Sequence, residues 1–236
     1  MPLPFFYSDE IKTSTQQFVL NEETSKHVVQ VLRMQISEQL QLTDGKGNLF
    51  TAEIIDDNRK KCSVKILTYS SQSPSTKKNI IAISLVKNNT RFEWFLEKAT
   101  ELGISEIIPL ICTRTEKQFF RHDRMKNILV SAMLQSQQTW LPLLHEPTKF
   151  AQTISQTSAQ QKFIAHCEEA ILKEQLVNKI EVHSTERFIL IGPEGDFTKE
   201  EITTALENNF APVALGNTRL RTETAGVVAA TLLCLY

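Results

Sequence analysis

Of the seven glycines in this chain, four (Gly192, Gly195, Gly216 and Gly226) fall within 35 residues near its end. Lacking a Cβ, glycine lets a ligand reach the main chain, or lets the chain itself turn sharply. Two segments of that stretch carry chemistry. Phe188-Ile189-Leu190-Ile191 runs into Gly192-Pro193-Glu194-Gly195-Asp196-Phe197, and Val213-Ala214-Leu215 runs into Gly216-Asn217-Thr218-Arg219-Leu220-Arg221-Thr222-Glu223-Thr224. Each reads as a strand, a glycine-containing loop and a helix start. The loops bear the carboxylates Glu194 and Glu223 and the guanidiniums of Arg219 and Arg221, side chains able to accept a proton or stabilise an anionic oxygen. Tight turns with capped helices would account for either loop alone, with Thr198 and Glu201 forming a capping box after the first. The two together, holding most of the scarce glycine and two arginines, point to a site.

The elements that must position these loops are legible from Ile80 onward, where strands and helices alternate. Ile80 to Val86 reads as a buried strand, and Thr90 to Leu102 as a helix with Phe92, Phe95, Leu96, Ala99 and Leu102 on one face and Gly103 as its stop. Glu106 to Ile111, Lys162 to His166, Phe188 to Ile191 and Pro212 to Leu215 are further strands. Helices are expected from Arg121 to about Gln138, near 168–178, over 198–209, and from about Thr224 to the end. This alternation predicts an α/β fold with a mainly parallel sheet covered on both faces, where ligands gather beyond the C-terminal ends of the strands. The first 70 residues read as a small β-rich domain. Asn21 caps a helix to about Met34 with Val28, Val31 and Leu32 at helical spacing, and Asp44-Gly45-Lys46-Gly47 turns a hairpin between alternating strands. Cys62 to Tyr69 is one more strand. The polar, proline-containing Ser70 to Asn79 is read as a linker, giving domains at 1–70 and 80–236.

Composition narrows the function. The chain has 236 residues, 26 basic against 27 acidic side chains and 41% hydrophobic residues, as expected of a globular protein. The longest mostly apolar run, Val227 to Leu235, is too short to span a bilayer, so a cytoplasmic protein is expected. Four cysteines (Cys62, Cys112, Cys167, Cys234) show no paired spacing, and five histidines are scattered, so no metal is called for. The chain carries no Gly-x-Gly-x-x-Gly after a strand, no phosphate loop and no nucleophile elbow. A net charge of -1 excludes bulk electrostatic coating of nucleic acid. A local basic face remains between Arg114 and Lys126, where Arg114, Lys117, Arg121, Arg124 and Lys126 stand against Glu116 and Asp123. Either a phosphate-contact surface or a solvated helix face fits it.

The two C-terminal loops resemble the signature loops of the SPOUT class of knotted methyltransferases. Within that class the chain is similar to the ribosomal RNA small subunit methyltransferase E family, the bacterial 16S rRNA uridine-N3 methyltransferases. Lys87 with Glu93, Lys98-Ala99-Thr100-Glu101-Leu102-Gly103, the Gln135 to Pro142 stretch and His27-Val28-Val29-Gln30-Val31-Leu32-Arg33 extend the likeness along most of the chain. The resemblance implies a C-terminal trefoil knot preceded by a small β-barrel, PUA-like, RNA-binding domain. It implies S-adenosyl-L-methionine as cofactor, held by Ile191, Gly192, Gly195, Leu215, Gly216, Asn217, Leu220 and Thr222. It further implies a homodimer acting on 16S rRNA or the small ribosomal subunit, with Arg33, Arg114, Lys117, Arg121 and Arg124 as RNA contacts. Four departures from the family pattern stand out: Asp196 and Thr218 replace a frequent glycine and arginine, Gln138 replaces a frequent arginine, and Ser37-Glu38 replaces a frequent Gly-Asp.

Methylating a uridine ring nitrogen requires removing its proton and aligning the lone pair with the methyl group. Arg221 is the candidate for stabilising a uracil carbonyl oxygen, and Glu223 or Glu194 for accepting the proton. Structural alternatives stay open: Glu223 capping the last helix, Arg221 paired with a carboxylate and Glu194 orienting its loop; His166, at a strand end, either borders the cofactor cleft or is an internally satisfied histidine. So do a noncatalytic ribosome assembly factor and a methyltransferase acting at another RNA position.

Overall fold

The computed structural model describes residues 3–116 and 118–236, which form two compact units. The first comprises the chain up to Pro74 together with Met133–Leu141; the second comprises Ser75–Ala132 and Pro142–Tyr236. Among the described residues no helix is long and apolar enough to cross a membrane.

In the first unit five strands, β1 (Phe5–Tyr7), β2 (Gln17–Val19), β3 (Gln39–Thr43), β4 (Asn48–Asp56) and β5 (Ser63–Ser71), form a sheet in the order β1-β3-β4-β5-β2. Only the β1/β3 pair is parallel. Alternation along β3 and β4 sends Leu40, Leu42, Phe50, Ala52 and Ile54 inward, where they join Phe6, Val28 and Val64 in one core. Asn21 caps α1 (Glu22–Lys26) by accepting from the Thr24 N–H, as its type predicts. The helix expected to reach Met34 does not. It widens into a π-helical turn over His27–Val31, and Arg33 follows with φ 57°. Widening rotates the helical face, so Val28 stays buried while Val31 and Leu32 are exposed.

The turn at Asp44–Gly47 is more than a hairpin connection. Gly47 N–H donates to Thr139 O (2.9 Å), Leu141 N–H to Gly45 O (2.9 Å), and the Trp140 indole N–H to Gln72 O (3.2 Å). The segment 133–141 is thereby stitched to this unit, which a reading by consecutive segments assigned to the second domain. The expected linker is also shorter than 70–79, because β5 continues through Ser71 and the next strand begins at Lys78.

The second unit holds eight parallel strands: β6 (Lys78–Ser84), β7 (Glu106–Ile111), β8 (Leu143–Leu144), β9 (Thr148–Lys149), β10 (Gln161–Ala165), β11 (Glu174–Gln175), β12 (Glu186–Ile191) and β13 (Ala211–Ala214). Their order is β11-β13-β10-β12-β6-β7-β8, with β9 also pairing β7. The helices are α2 (Asn89–Leu102), α3 (His122–Gln135), α4 (Phe150–Gln156), α5 (Leu176–Lys179), α6 (Lys199–Glu207) and α7 (Thr222–Leu235). Gly103 ends α2 at φ 88°, a left-handed cap. The helix expected near 168–178 is absent. The main chain of Glu174–Gln175 instead pairs with β13 as the sheet's edge strand, leaving α5 as a single turn in which Leu176 is buried while Leu172 is almost fully exposed. One face of the sheet packs Ile80, Ala82, Ile164, Phe188 and Leu190 against Ile202, Ala205 and Phe210. On α7, Gly226 lies so close to Ile83 and Phe95 that a Cβ there would stand 2.7 Å from both. The fully buried Arg187 donates to Leu233 O (3.0 Å) and Tyr236 O (3.2 Å), satisfying carbonyls at the end of α7 with a cation.

At the strand N-termini, remote from the glycine loops, Glu106 meets Lys78 (2.7 Å) and His145 (2.8 Å). Burial pushes its carboxyl upward, but the Lys78 and His145 hydrogen bonds outweigh this and hold it below its ordinary range. A carboxyl depressed in the folded state stabilises above its unfolded value, near pH 4.3, and that contribution is lost as pH falls through the folded value. Glu106→Gln is therefore expected to cost about 1 kcal/mol at neutral pH and to flatten the acid limb of the stability curve, as read by urea unfolding between pH 3 and 7.

Candidate active site

The strand order places β13, β10 and β12 side by side, so the loops leaving their C-terminal ends share one space. They enclose a cleft of about 810 Å³ lined by His166, Glu194, Asp196, Gly216, Arg221 and Thr222 among others, with Arg91 from the first turn of α2. That volume is of small-ligand size.

Each loop has a local reason for its shape. At Gly192 a Cβ would stand 3.0 Å from the Phe197 ring, and Phe197 is itself buried against Phe150. Asp196 has φ 64°, which explains why glycine suits this position. Its carboxylate accepts from the Cys167 N–H (2.8 Å), fastening this loop to the one after β10. Asp196→Ala retains a Cβ at a left-handed φ and loses that bond, whereas Asp196→Gly loses only the bond. The alanine variant is expected to be less stable than the glycine variant by about 1 kcal/mol, measured by urea unfolding; equal stability would refute the strain argument.

The expected capping box forms: Glu201 Oε2 accepts from the Thr198 N–H (2.9 Å) and Thr198 Oγ1 from the Glu201 N–H (3.2 Å). Glu201 Oε1 also accepts from the Thr113 N–H (2.8 Å), tying in the loop after β7. On the second loop Gly216 has φ 141°, and no atom lies within 4 Å of where its Cβ would be. Among the described residues, none of the main-chain N–H groups from Gly216 to Leu220 donates to another protein group. Thr222 Oγ1 donates to Gly192 O (3.0 Å), joining the two glycine loops directly.

Seven of the eight residues expected to hold a cofactor (Ile191, Gly192, Leu215, Gly216, Asn217, Leu220 and Thr222) line the cleft; Gly195 does not. Its carbonyl accepts from Arg114 (2.7 Å), which also donates to Phe197 O (3.3 Å), so this arginine braces the first loop. Of the candidate catalytic groups, Arg221 and Glu194 line the cleft. Arg221 is exposed and, among the described residues, its guanidinium makes no ion pair or hydrogen bond. Glu194 Oε1 accepts from the Lys87 N–H (3.0 Å). Glu223 is buried in the first turn of α7; its Oε1 lies 3.6 Å from Arg91 Nε and its Oε2 has no hydrogen-bond partner among the described residues.

The candidate RNA contacts are dispersed. Arg124 forms a two-pronged pair with Glu93 (2.7 and 3.0 Å), Arg121 lies 5.5 Å over the Phe119 ring, and Arg33 is exposed in the first unit. Lys117 lies outside the described residues. Sequence reading missed Arg91. Its signal was position: it sits in the helix start that follows β6, the strand beside β12.

Comparison with known proteins identifies the family. Residues 73–234 match the RNA methyltransferase domain family, and residues 20–67 match the RNA methyltransferase PUA domain. A solved structure described as a probable rRNA-methyltransferase from Porphyromonas gingivalis is 37% identical, with a TM-score of 0.89 over 97% of this chain and 95% of that one. The ribosomal RNA small subunit methyltransferase E of Neisseria gonorrhoeae, solved bound to S-adenosyl methionine, is 28% identical with a TM-score of 0.85, covering 97% and 95% of the two chains. The protein of the same name from Buchnera aphidicola subsp. Acyrthosiphon pisum is 26% identical over 98% of this chain and 92% of its own. The chain thus belongs to the RNA methyltransferase family, in the group of the ribosomal RNA small subunit methyltransferase E proteins.

Proposed function

We propose that this protein transfers a methyl group from S-adenosylmethionine to ring N3 of a uridine in the 16S RNA of the small ribosomal subunit. The observation that carries the reading is the union of both glycine loops in one cleft, fastened by the Thr222 to Gly192 hydrogen bond, with Arg221 and Glu194 lining it and Glu223 beside Arg91 in the adjoining helix turn. The cleft fits the cofactor by its own chemistry. The N–H groups from Gly216 to Leu220, unpaired among the described residues, match the edge of an adenine, and Ile191, Leu215 and Leu220 offer apolar surface to its ring.

When bound, S-adenosylmethionine supplies an electrophilic methyl group on sulfur. The chain's own part is to orient and to move one proton. Arg221, held at the start of α7 and without an ion pair or hydrogen bond among the described residues, stabilises negative charge on a uracil carbonyl oxygen as N3 is deprotonated. Glu223, with one carboxylate oxygen unpaired, accepts the N3 proton, and Arg91 holds the other oxygen in place. Glu194, anchored by the Lys87 N–H, orients the first loop. The exposed Arg33 and Arg121 contact RNA phosphates, and Arg114 braces the first glycine loop through the Gly195 carbonyl. In this reading the chain after β13 threads to form the knot and returns to pack α7 on α2 and β6. The enzyme works in the cytoplasm as a homodimer, through apolar surface that includes the exposed Leu235 and Tyr236.

The test is nucleoside mass spectrometry of small-subunit RNA from cells lacking this protein, incubated with it and methyl-labelled S-adenosylmethionine. Labelled 3-methyluridine is expected. Cofactor binding with no methylated nucleoside would favour a noncatalytic assembly factor, and label on another nucleoside would move the target.

A further inference from the structure

His166 sits where β10 ends and lines the cleft, yet it is only 7% exposed. Its Nδ1 accepts from the Glu168 N–H (3.2 Å). An acceptor nitrogen in a neutral imidazole leaves the proton on the other, so Nε2 is the donor. Burial, and then the nearby Lys173 ammonium, hold the imidazole pKa below its ordinary value despite Asp196 and Glu168, which favours the neutral ring. Nε2 is buried with no hydrogen-bond partner among the described residues. A buried donor without an acceptor is costly, and folded proteins leave few of them. Neither the loop bonds nor the proton transfer set out above uses this group.

We infer that His166 is a ligand-recognition residue whose Nε2–H donates to an acceptor oxygen of the molecule bound in the cleft. The inference rests on the reading of that molecule as S-adenosylmethionine, which offers two sources of such an oxygen: the carboxylate of its amino-acid moiety and the hydroxyls of its ribose. Lys173 adds positive charge beside the imidazole while Asp196 and Glu168 add negative charge, so a series of ligands, rather than local charge, separates the two sources. The Glu168 N–H fixes the ring orientation, so the tautomer and ring plane are set before the ligand arrives.

Two substitutions separate recognition from support. His166→Asn retains an acceptor near the Nδ1 position for the Glu168 N–H but has nothing at Nε2; His166→Gln carries an amide N–H near Nε2. Isothermal titration of the full chain with S-adenosylmethionine, S-adenosylhomocysteine and 5′-methylthioadenosine, which lacks the amino-acid moiety, gives the readout, with the unfolding temperature of each unliganded variant as control. The expected result is about a tenfold weaker affinity for His166→Asn, recovery toward wild type in His166→Gln, and unchanged unliganded unfolding temperatures. A loss with the two amino-acid-bearing ligands but not with 5′-methylthioadenosine assigns the acceptor to the carboxylate; a loss with all three assigns it to the ribose. If His166→Asn binds all three as tightly as wild type does, or weakens binding only in step with a fallen unfolding temperature, the inference is overturned while the methyltransferase reading stands. Failure of the wild-type protein to bind S-adenosylmethionine would overturn both.

Discussion

Arg221→Ala is expected to lower methyl transfer to small-subunit RNA by about a hundredfold to a thousandfold, with S-adenosylmethionine affinity held within about twofold. The guanidinium is exposed at the cleft and, among the described residues, has no carboxylate within ion-pair distance, so its removal breaks no internal bond. Its main-chain carbonyl still accepts the Ala225 N–H (2.8 Å), so α7 begins as before. A loss confined to the chemical step is what an interaction made only in the transition state produces. Arg221→Lys should recover part of the rate, because an ammonium keeps the charge but not the planar fork. Arg219→Ala, two residues upstream on the same loop, serves as comparison and should affect RNA affinity more than turnover. Single-turnover methylation with saturating RNA decides the matter: a rate within threefold of wild type would remove Arg221 from the chemistry. An equal fall in cofactor affinity would make it a binding residue instead.

The second large effect lies in the first unit. Gly47→Ala is expected to destabilise it by about 3 kcal/mol or more, combining a left-handed φ with overpacking. At φ 88° the new Cβ would stand 2.5 Å from Gln72 O and 2.6 Å from the Trp140 ring. Moving either neighbour strains the bond from the Gln72 N–H to Gly47 O (2.8 Å) and that from the Gly47 N–H to Thr139 O (2.9 Å). Gly103→Ala is the internal control. Gly103 has the same φ of 88° but no atom within 4 Å of its Cβ position, so only the conformational cost of about 1 kcal/mol should appear there. Urea unfolding of both variants, followed by the fluorescence of Trp140 and Trp94, reads the contrast directly; equal destabilisation would show that packing at the Gly47 turn contributes nothing.

Much of the second unit was legible because its signals are local. The strand at Glu106–Ile111 keeps the bounds its mostly apolar run predicts, Gly103 stops α2, and Thr198 with Glu201 caps α6. Each depends on side chains within a few residues of one another, and so on short-range sterics and hydrogen bonds that a sequence displays. The expectations that failed were those that distant partners decide. The segment near 168–178 carries helix-compatible residues, but the free edge of β13 offered its main chain better partners. The turn at Val31 and Leu32 departs from helical spacing because the chain leaves α1 through a π-helical turn, which no residue pattern announced.

By itself the sequence singled out the two loops that come to line one cleft, because scarce glycine and paired charges mark them in one dimension. It also determined the parallel α/β class, through the alternation of element types. Only the tertiary structure decided what each charge does. Arg114 and Arg221 look alike in sequence, yet one braces the carbonyls of Gly195 and Phe197 while the other is left free at the cleft. Arg91 enters the neighbourhood of the site because β6, the strand before its helix, is adjacent to β12 in the sheet, although β6 and β12 are about a hundred residues apart along the chain. His166 at the end of β10 could be placed beside the cleft from sequence, but its unpartnered Nε2 could not. The physical reason is that a side chain's role is set by which donors, acceptors and water it can reach, and those neighbours come from strand order and burial rather than from residue type.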